Sequence, residues 1–428
     1  MAEAKTKIQE VGERIKEILD ETICILRRGE IPPKPIDWDW SYNTCMDLRD
    51  SLAASTTRHE TPITSDISSI NLQNLGVASV IDSGLALTKY PGKIGCLLRF
   101  NDDPNKAEYC IIDPEAGTVS RTGAKADITS SNATARINID RKGKLCILTR
   151  YDGGVYSLEQ DGSNCTKHGT CEAFPTNRGI RLVYVPEGGF IAYGEESTTR
   201  HMYRITEDYN VSLQMTWAAT DYYFYSAIAM PDYWVFHQPQ GIIMRMKRDL
   251  SSNTLISRLT ASSYYCIAAG TLCPLTRNHI YFGMTGRPGG SESKLLIGYN
   301  SNTNTAIYSN NIPKGSWNNP GRGFCMLPTG ESFGCLTYQS SAPSGYQKND
   351  WYFYNYEQDT FTFLGQPHDG TTSVGYTIYL LPTGKILSYR STFGTDGCMQ
   401  FKYHDFGFTK DQIPENLLYG PYGFNYKY

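Results

Sequence analysis

From about Val77 onward the hydrophobic positions fall in short runs of β-branched and aromatic residues, each cut off by a polar or glycine-containing turn. The clearest example lies between Gly321 and Phe363. Arg322 to Leu327 leads into Pro328-Thr329-Gly330 and then Ser332 to Tyr338; Trp351 to Tyr356 is separated from Thr360 to Phe363 by Glu357-Gln358-Asp359. Pro-x-Gly and Asx-rich turns between such runs signal hairpins, so this stretch predicts four short strands. Its first turn returns almost letter for letter at Leu380-Leu381-Pro382-Thr383-Gly384-Lys385.

Two turn markers carry this unit through the chain seven times. The first, between the opening strands, reads Tyr90-Pro91-Gly92-Lys93, Arg141-Lys142-Gly143-Lys144, Pro186-Glu187-Gly188-Gly189, Met230-Pro231-Asp232-Tyr233, Thr276-Arg277-Asn278-His279, Pro328-Thr329-Gly330 and Pro382-Thr383-Gly384-Lys385. The second, between the closing strands, runs from Ile112 to Thr118, Leu158 to Gly162, Ile205 to Tyr209, Lys247 to Ser251, Tyr299 to Thr303, Tyr356 to Thr360 and Tyr403 to Gly407. Its Asx or Ser side chains can close a turn onto its own backbone. Steps of roughly 44 to 54 residues suit four-stranded propeller blades.

Most units open on an apolar strand, as at Ile137 to Ile139, Ile180 to Val185, Ile267 to Leu272 and Tyr376 to Leu381. A single blade cannot bury both faces, so the blades must stack into a ring. The expected fold is all-β: a seven-bladed propeller of four-stranded blades, preceded by one α-helix. Two closures are open. Phe401 to Phe408 completes the last blade from its own end, or Leu75 to Ile81 adds a strand across the seam.

Residues 1–30 carry helical periodicity. Ile8, Val11, Ile15, Ile18, Thr22 and Ile25 follow steps of three and four, an a/d seam of about three heptads. Ile at both positions favours a trimer. The alternative is packing on the chain's own β-domain, since Leu19, Ile23 and Leu26 widen the apolar face. Residues 31–76 open with the stiff spacer Ile31-Pro32-Pro33-Lys34-Pro35. There Met46 to Ala54 allows one or two helical turns, and Ser55 to Ser69 reads as a surface segment. The propeller is expected over 77–410 and an aromatic tail over 411–428.

A net charge of −3 offers no basic excess to a phosphate backbone, which argues against nucleic acid. No apolar run reaches membrane-spanning length, and a charged helix replaces a signal h-region. The 12 cysteines show no zinc-ribbon spacing, so buried free thiols are expected, including the near pairs Cys165/Cys171, Cys266/Cys273 and Cys325/Cys335. No metal or cofactor is expected.

Candidate chemistry is sparse. The seven histidines, among them His237 and His279, form no metal or triad pattern. Gly286-Arg287-Pro288-Gly289-Gly290 reads as a flexible inter-strand loop. Asp102, Asp103, Asp152, Glu195, Glu196 and Asp221 lie near strand ends and are the only group from which a glycosidase pair could be drawn; solvated loop charges are the plainer account. Tyr222 to Tyr225, Tyr264-Tyr265 and Trp351 to Tyr354 suit blade packing, with exposed members able to stack on sugars or proteins. Sequons begin at Asn132, Asn164 and Asn210.

The repeated unit resembles the broad β-propeller superfold, without its recurring Trp-Asp, kelch or sialidase motifs. A seam helix, a proline spacer and a degenerate propeller also resemble, in layout, the tail or neck fibre proteins of bacterial viruses. That resemblance implies a structural or host-recognition role in a virion assembled in the host cytoplasm. The partners would be other copies of the chain (a trimer), further virion proteins, and a host surface glycan or protein. The rival readings are a glycan-active hydrolase or lectin, and a cellular protein-interaction scaffold. Function is expected where the repeats differ, at Tyr338 to Asn349 and Met284 to Ser293, and in the aromatic tail.

Overall fold

In the computed structural model the described residues, which lie within 58–412, form thirty strands. Residues 1–57 and 413–428, the connections 129–134, 172–177, 219–225, 266–272, 310–318, 338–349 and 366–375, and shorter pieces of other turns lie outside the described residues. The seam positions Ile8, Val11, Ile15, Ile18, Thr22 and Ile25 and the aromatic tail therefore fall outside them, as do Met46 to Ala54 and Ile267 to Leu272.

Strand β1 (Ile63–Asn71) is followed by sheet I, made of β2 (Val77–Ala86), β3 (Ile94–Phe100), β4 (Asp103–Asp113) and β5 (Thr118–Asp127). Sheet II is β6 (Ala135–Ile139), β7 (Leu145–Thr149), β8 (Gly154–Leu158) and β9 (Thr166–Thr170). Sheet III is β10 (Arg178–Tyr184), β11 (Phe190–Glu196), β12 (Thr199–Ile205) and β13 (Val211–Ala218). Sheet IV is β14 (Ser226–Ala229), β15 (Tyr233–Gln238), β16 (Ile242–Lys247) and β17 (Leu255–Thr260). A two-residue strand, β18 (Tyr264–Tyr265), precedes sheet V. Sheet V is β19 (Cys273–Thr276), β20 (His279–Tyr281), β22 (Leu295–Asn300) and β23 (Thr305–Ser309), with β21 (Arg287–Pro288) standing outside it and pairing with β18. Sheet VI is β24 (Asn319–Met326), β25 (Ser332–Thr337), β26 (Asp350–Asn355) and β27 (Thr360–Gly365). Sheet VII is β28 (Tyr376–Leu380), β29 (Ile386–Ser391) and β30 (Cys398–Asp405), and its fourth strand is β1.

Every one of the seven first-marker turns falls between the first and second strands of a sheet. The second marker separates third and fourth strands in sheets I to VI; in sheet VII it ends the last strand of the chain. The closing strand differs from both expectations. Leu75 to Ile81 opens sheet I, and sheet VII takes Ile63–Asn71, antiparallel to β30 from Ile63 opposite Asp405 to Asn71 opposite Cys398. The stretch expected to run over a surface is thus a paired strand.

Burial follows position in the sheet. β7, Leu-Cys-Ile-Leu-Thr, is buried at every residue, while β9, Thr-Lys-His-Gly-Thr, is exposed at all but one. Middle strands are covered on both faces and so read as unbroken apolar runs; outer strands carry the polar residues.

Sheets I to V, and sheets VI and VII, pack face to face in chain order. Leu97 and Tyr109 of sheet I meet Ile137 and Ile147 of sheet II. Cys146 and Leu148 meet Leu182 and Phe190 of sheet III. Val183 and Met202 meet Trp234 and Phe236 of sheet IV, and Tyr299 of sheet V joins them. Phe333 and Phe353 of sheet VI pack edge-on and tilted against Phe406, just past β30, each with its ring centroid 5.0 Å from that of Phe406. Sheet VII in turn packs Tyr379, Leu387 and Met399 against Ile94, Cys96 and Leu98 of sheet I. The last sheet is therefore covered by the first, which is propeller architecture.

The turn after each third strand carries a residue of positive φ: Gly117, Gly162, Tyr209, Leu250, Asn304, Asp359 and Gly407. That geometry disfavours side chains by roughly 1–2 kcal/mol, yet Tyr209 and Leu250 occupy it and are buried. Each is a peg into the preceding sheet. The Tyr209 hydroxyl donates to the Leu145 carbonyl at 3.2 Å, and its ring stacks on His168 at 4.7 Å. Leu250 joins the cluster that fills the space between sheets III and IV. In sheet II the peg is Gln160, which is fully buried. Its Oε1 accepts the Thr88 and Lys89 amides of sheet I, both at 2.9 Å, and its Nε2 donates to the Gly143 carbonyl at 2.9 Å. Its own carbonyl accepts the Tyr109 hydroxyl at 2.9 Å.

Replacing Gln160 by Ala strands two part-buried amides and one buried carbonyl. The expected loss of stability is about 2–4 kcal/mol, measured by denaturant titration. A loss below about 0.5 kcal/mol would show that the peg does not hold sheet I to sheet II.

Candidate interaction face

Antiparallel order sorts the connections onto two faces. First-to-second turns, and in sheets I to VI third-to-fourth turns, emerge at one end of the sheets, and second-to-third and sheet-to-sheet connections at the other. The first end is uniform, built of the marker turns. The second holds the connections in which the repeats differ, including 282–294 and 338–349. Asp102, Asp103, Asp152, Glu195 and Glu196 all fall at this loop end, and so does the connection that carries Asp221.

On the loop face, two segments far apart in sequence come together. β18 lies in the connection from sheet IV to sheet V, and β21 in the connection inside sheet V. They pair antiparallel, Tyr264 opposite Pro288 and Tyr265 opposite Arg287. The glycine-rich segment expected as a loop thus contributes a strand to a ribbon with the tyrosine pair. Two-residue strands are below what periodicity detects, so the pairing had no sequence signal of its own.

The described carboxylates at this end are held as ion pairs. Asp102 lies 2.9 Å from Arg121, whose guanidinium also reaches the buried Glu108 at 2.7 Å and sits over the Phe100 ring. Asp103 pairs with Lys125 at 2.8 Å. The hydrogen bond from Arg121 holds Asp102 below the usual carboxylate range. Burial works to raise Asp152, but bonds from Lys167, Thr149 and the Gly154 amide outweigh it and leave it lowered as well. A general acid needs a raised pKa; Asp102 and Asp152 are pushed the other way. Glu195 and Glu196 end β11, and Asp221 lies outside the described residues.

The remaining candidates are structural where described. Trp351 to Tyr354 are buried in sheet VI. His168 faces Ser157 at 2.6 Å on an outer strand, while His237 and His279 lie in β15 and β20. Cys165, Cys171 and Cys325 are free thiols, and burial pushes Cys171 up to about 12. Asn164 and Asn210 are exposed.

A polar ladder runs along the first strands beneath the loops. The first strand of each sheet pairs on one edge only, and buried backbone groups on the other edge need partners. Side chains supply them from sheet to sheet. Asp82 of β2, buried, accepts the Ile137 amide of β6 at 2.9 Å. Asn138 donates to the Leu182 carbonyl of β10 at 3.0 Å, and Arg136 to Ile180 at 3.2 Å. Arg136 also lies 3.7 Å from Asp82. Sequence reasoning missed these residues because their partners are backbone atoms of the next repeat.

No protein-family model matches the chain, and no curated protein matches it in sequence. Solved structures match in fold. Raptor of Chaetomium thermophilum superposes with a TM-score of 0.51 at 10% identity, over 87% of this chain and 31% of that one, so the chain spans under a third of Raptor's length. A mitotic checkpoint complex structure gives 0.49 at 13% identity, covering 82% and 93%. The β-propeller domain of Cps50 (Swd1) from Myceliophthora thermophila gives 0.47 at 12% identity, covering 79% and 99%.

Asp82→Ala removes the acceptor of a buried amide and the carboxylate beside Arg136, and should destabilise by about 3 kcal/mol. Asp82→Asn keeps an acceptor oxygen and should cost clearly less. Equal melting temperatures for the two variants would overturn the ladder as the source of the effect.

Proposed function

We propose that this chain is a protein-interaction scaffold. The seven sheets form one closed ring of seven blades, and the loop face receives a protein partner around the ribbon of Tyr264, Tyr265, Arg287 and Pro288. One observation carries the reading, the polarity of the chain. β1 begins, and β30 ends, at the turn end of sheet VII, where Ile63 lies opposite Asp405. Arg58 is bound there too, through the Glu331 carboxylate in the first turn of sheet VI, at 2.8 Å. The described chain thus arrives and leaves by the turn face, and the varied connections of the other face stay clear of it.

Rigid scaffolds place recognition on loops, and Tyr and Arg are enriched among residues that dominate binding energy. The ion-paired carboxylates support a binding role over a hydrolytic one. The polarity also suits an anchoring role for Ile8, Val11, Ile15, Ile18, Thr22 and Ile25 in a homo-oligomer, since the chain that carries them joins the ring at the turn face. The likeness to virion fibres needs the helix and spacer of residues 1–35, outside the described residues, beside the propeller, and a cellular partner accounts for the fold without a particle.

Capture of binding proteins by the intact chain, compared with a Tyr264→Ala, Tyr265→Ala, Arg287→Ala variant, tests the reading. The variant should melt like the parent and lose at least about tenfold in affinity for the captured partner. Unchanged capture, or a preparation that binds glycans and no protein, would sink it.

A further inference from the structure

His404 is completely buried in β30, and three elements cover its ring. From β1, the Thr64 hydroxyl lies 3.1 Å from Nδ1. From β29, the Ser388 hydroxyl lies 2.7 Å from Nε2. From sheet VI, Phe333 and Trp351 close over it with ring centroids 5.1 Å away. Two of these lids belong to the body of the fold. The third belongs to a strand whose first four residues are exposed and of which only Ile70 is buried.

We propose that β1 is a proton-coupled strap: its release from β30 takes up one proton on His404 and leaves the other sheets folded.

Locality follows from what holds the strap. Apart from its ladder with β30 and the packing of Ile70 and Ile67 into the core shared with sheet I, β1 is fixed by a few polar and charged side chains. Asp66 bridges to Lys402, the Ser68 hydroxyl donates to the Pro114 carbonyl at 2.6 Å, and Arg58 bonds Glu331 and lies over Phe353. The preceding His59 amide donates to the Phe406 carbonyl at 2.9 Å. Segments with few buried apolar contacts open first. Removing β1 uncovers Ile70, and it uncovers His404.

Coupling follows from the ring's surroundings. Burial, helped by the nearby Lys402 charge, pushes the His404 pKa down to about 3 from its ordinary 6.5. The closed strap therefore holds His404 neutral, while the open state lets it reach water and titrate normally. Between pH 6.5 and 3 the open state binds a proton that the closed state lacks, so acid favours opening. Closure is at full strength above about pH 6.5 and weakens by up to about tenfold for each pH unit below it. Other charges near the strap are Lys402, Asp66, Asp405, Arg58 and Glu331. The His59 ring lies against Gly407, beside the end of β30.

Hydrogen exchange on the full chain from pH 7.5 to 5, corrected for intrinsic rates, reads the opening directly. Amides of β1 and their β30 partners should open roughly fivefold more at pH 5.5 than at 6.5, while Ile147 and Leu148 in sheet II stay protected at every pH. His404→Gln, which keeps a polar side chain and cannot titrate, should flatten the profile of β1; His59→Gln should leave it steep. If His404→Gln misfolds, Thr64→Val tests the same lid, raising β1 exchange at pH 7.5 with sheet II unchanged. The proposal falls if β1 exchange in the parent is flat with pH, if all sheets lose protection together, or if His59→Gln alone removes the slope.

Discussion

No four-stranded sheet of this chain can cover both of its own faces. That constraint explains the unbroken apolar run of β7 and the exposed polar run of β9 two strands away. It also explains why sheet VII must find sheet I, pairing Tyr379 and Leu387 with residues nearly 300 positions earlier in the chain. The pegs are its second expression. Tyr209 and Leu250 accept an unfavourable backbone geometry because a side chain placed there reaches into the preceding sheet. Glycine would fit the turn better and would leave the neighbour unlocked.

The marker turns were legible because their chemistry is local: Pro-x-Gly and Asx residues dictate a hairpin wherever they stand. The closing strand was not. Ile63-Thr64-Ser65-Asp66-Ile67-Ser68-Ser69-Ile70-Asn71 has its isoleucines four and three apart, which breaks the alternation of a strand. The register with β30 shifts between Asp66 and Ser68, and such a bulge inserts one residue and resets the phase. The strand is specified by what receives it, the His404 ring with its hydroxyl partners and the Glu331–Phe353 seat of Arg58. The same reason hid the ladder of Asp82, Arg136 and Asn138, whose side chains answer backbone groups of the following repeat. On the loop face, residue type was visible in Tyr264-Tyr265 and in Arg287, but their proximity depends on a tertiary pairing of two-residue strands.

The two faces divide labour by connection type. Turns that must dock pegs into the neighbouring sheet are confined to one short form, while connections at the other end touch no such requirement and are free to vary in length and content. Asp102 and Asp103 show the limit of reading a face from composition. They stand at the varied end, near strand termini, and salt bridges with Arg121 and Lys125 occupy both.

The closing strand also orders events in time. Thr64 and its partner His404 are 340 residues apart, so a ribosome adding about 5–20 residues per second places β1 outside the exit tunnel roughly 20–70 s before its partner exists. For that interval β1 has nothing to pair with, and sheet I lacks the sheet that covers it. Its sparse apolar content, Ile63, Ile67 and Ile70 among serine, threonine and aspartate, suits a segment that must wait in water without finding another chain. A sequence better at being a strand alone would be worse at being the last one added.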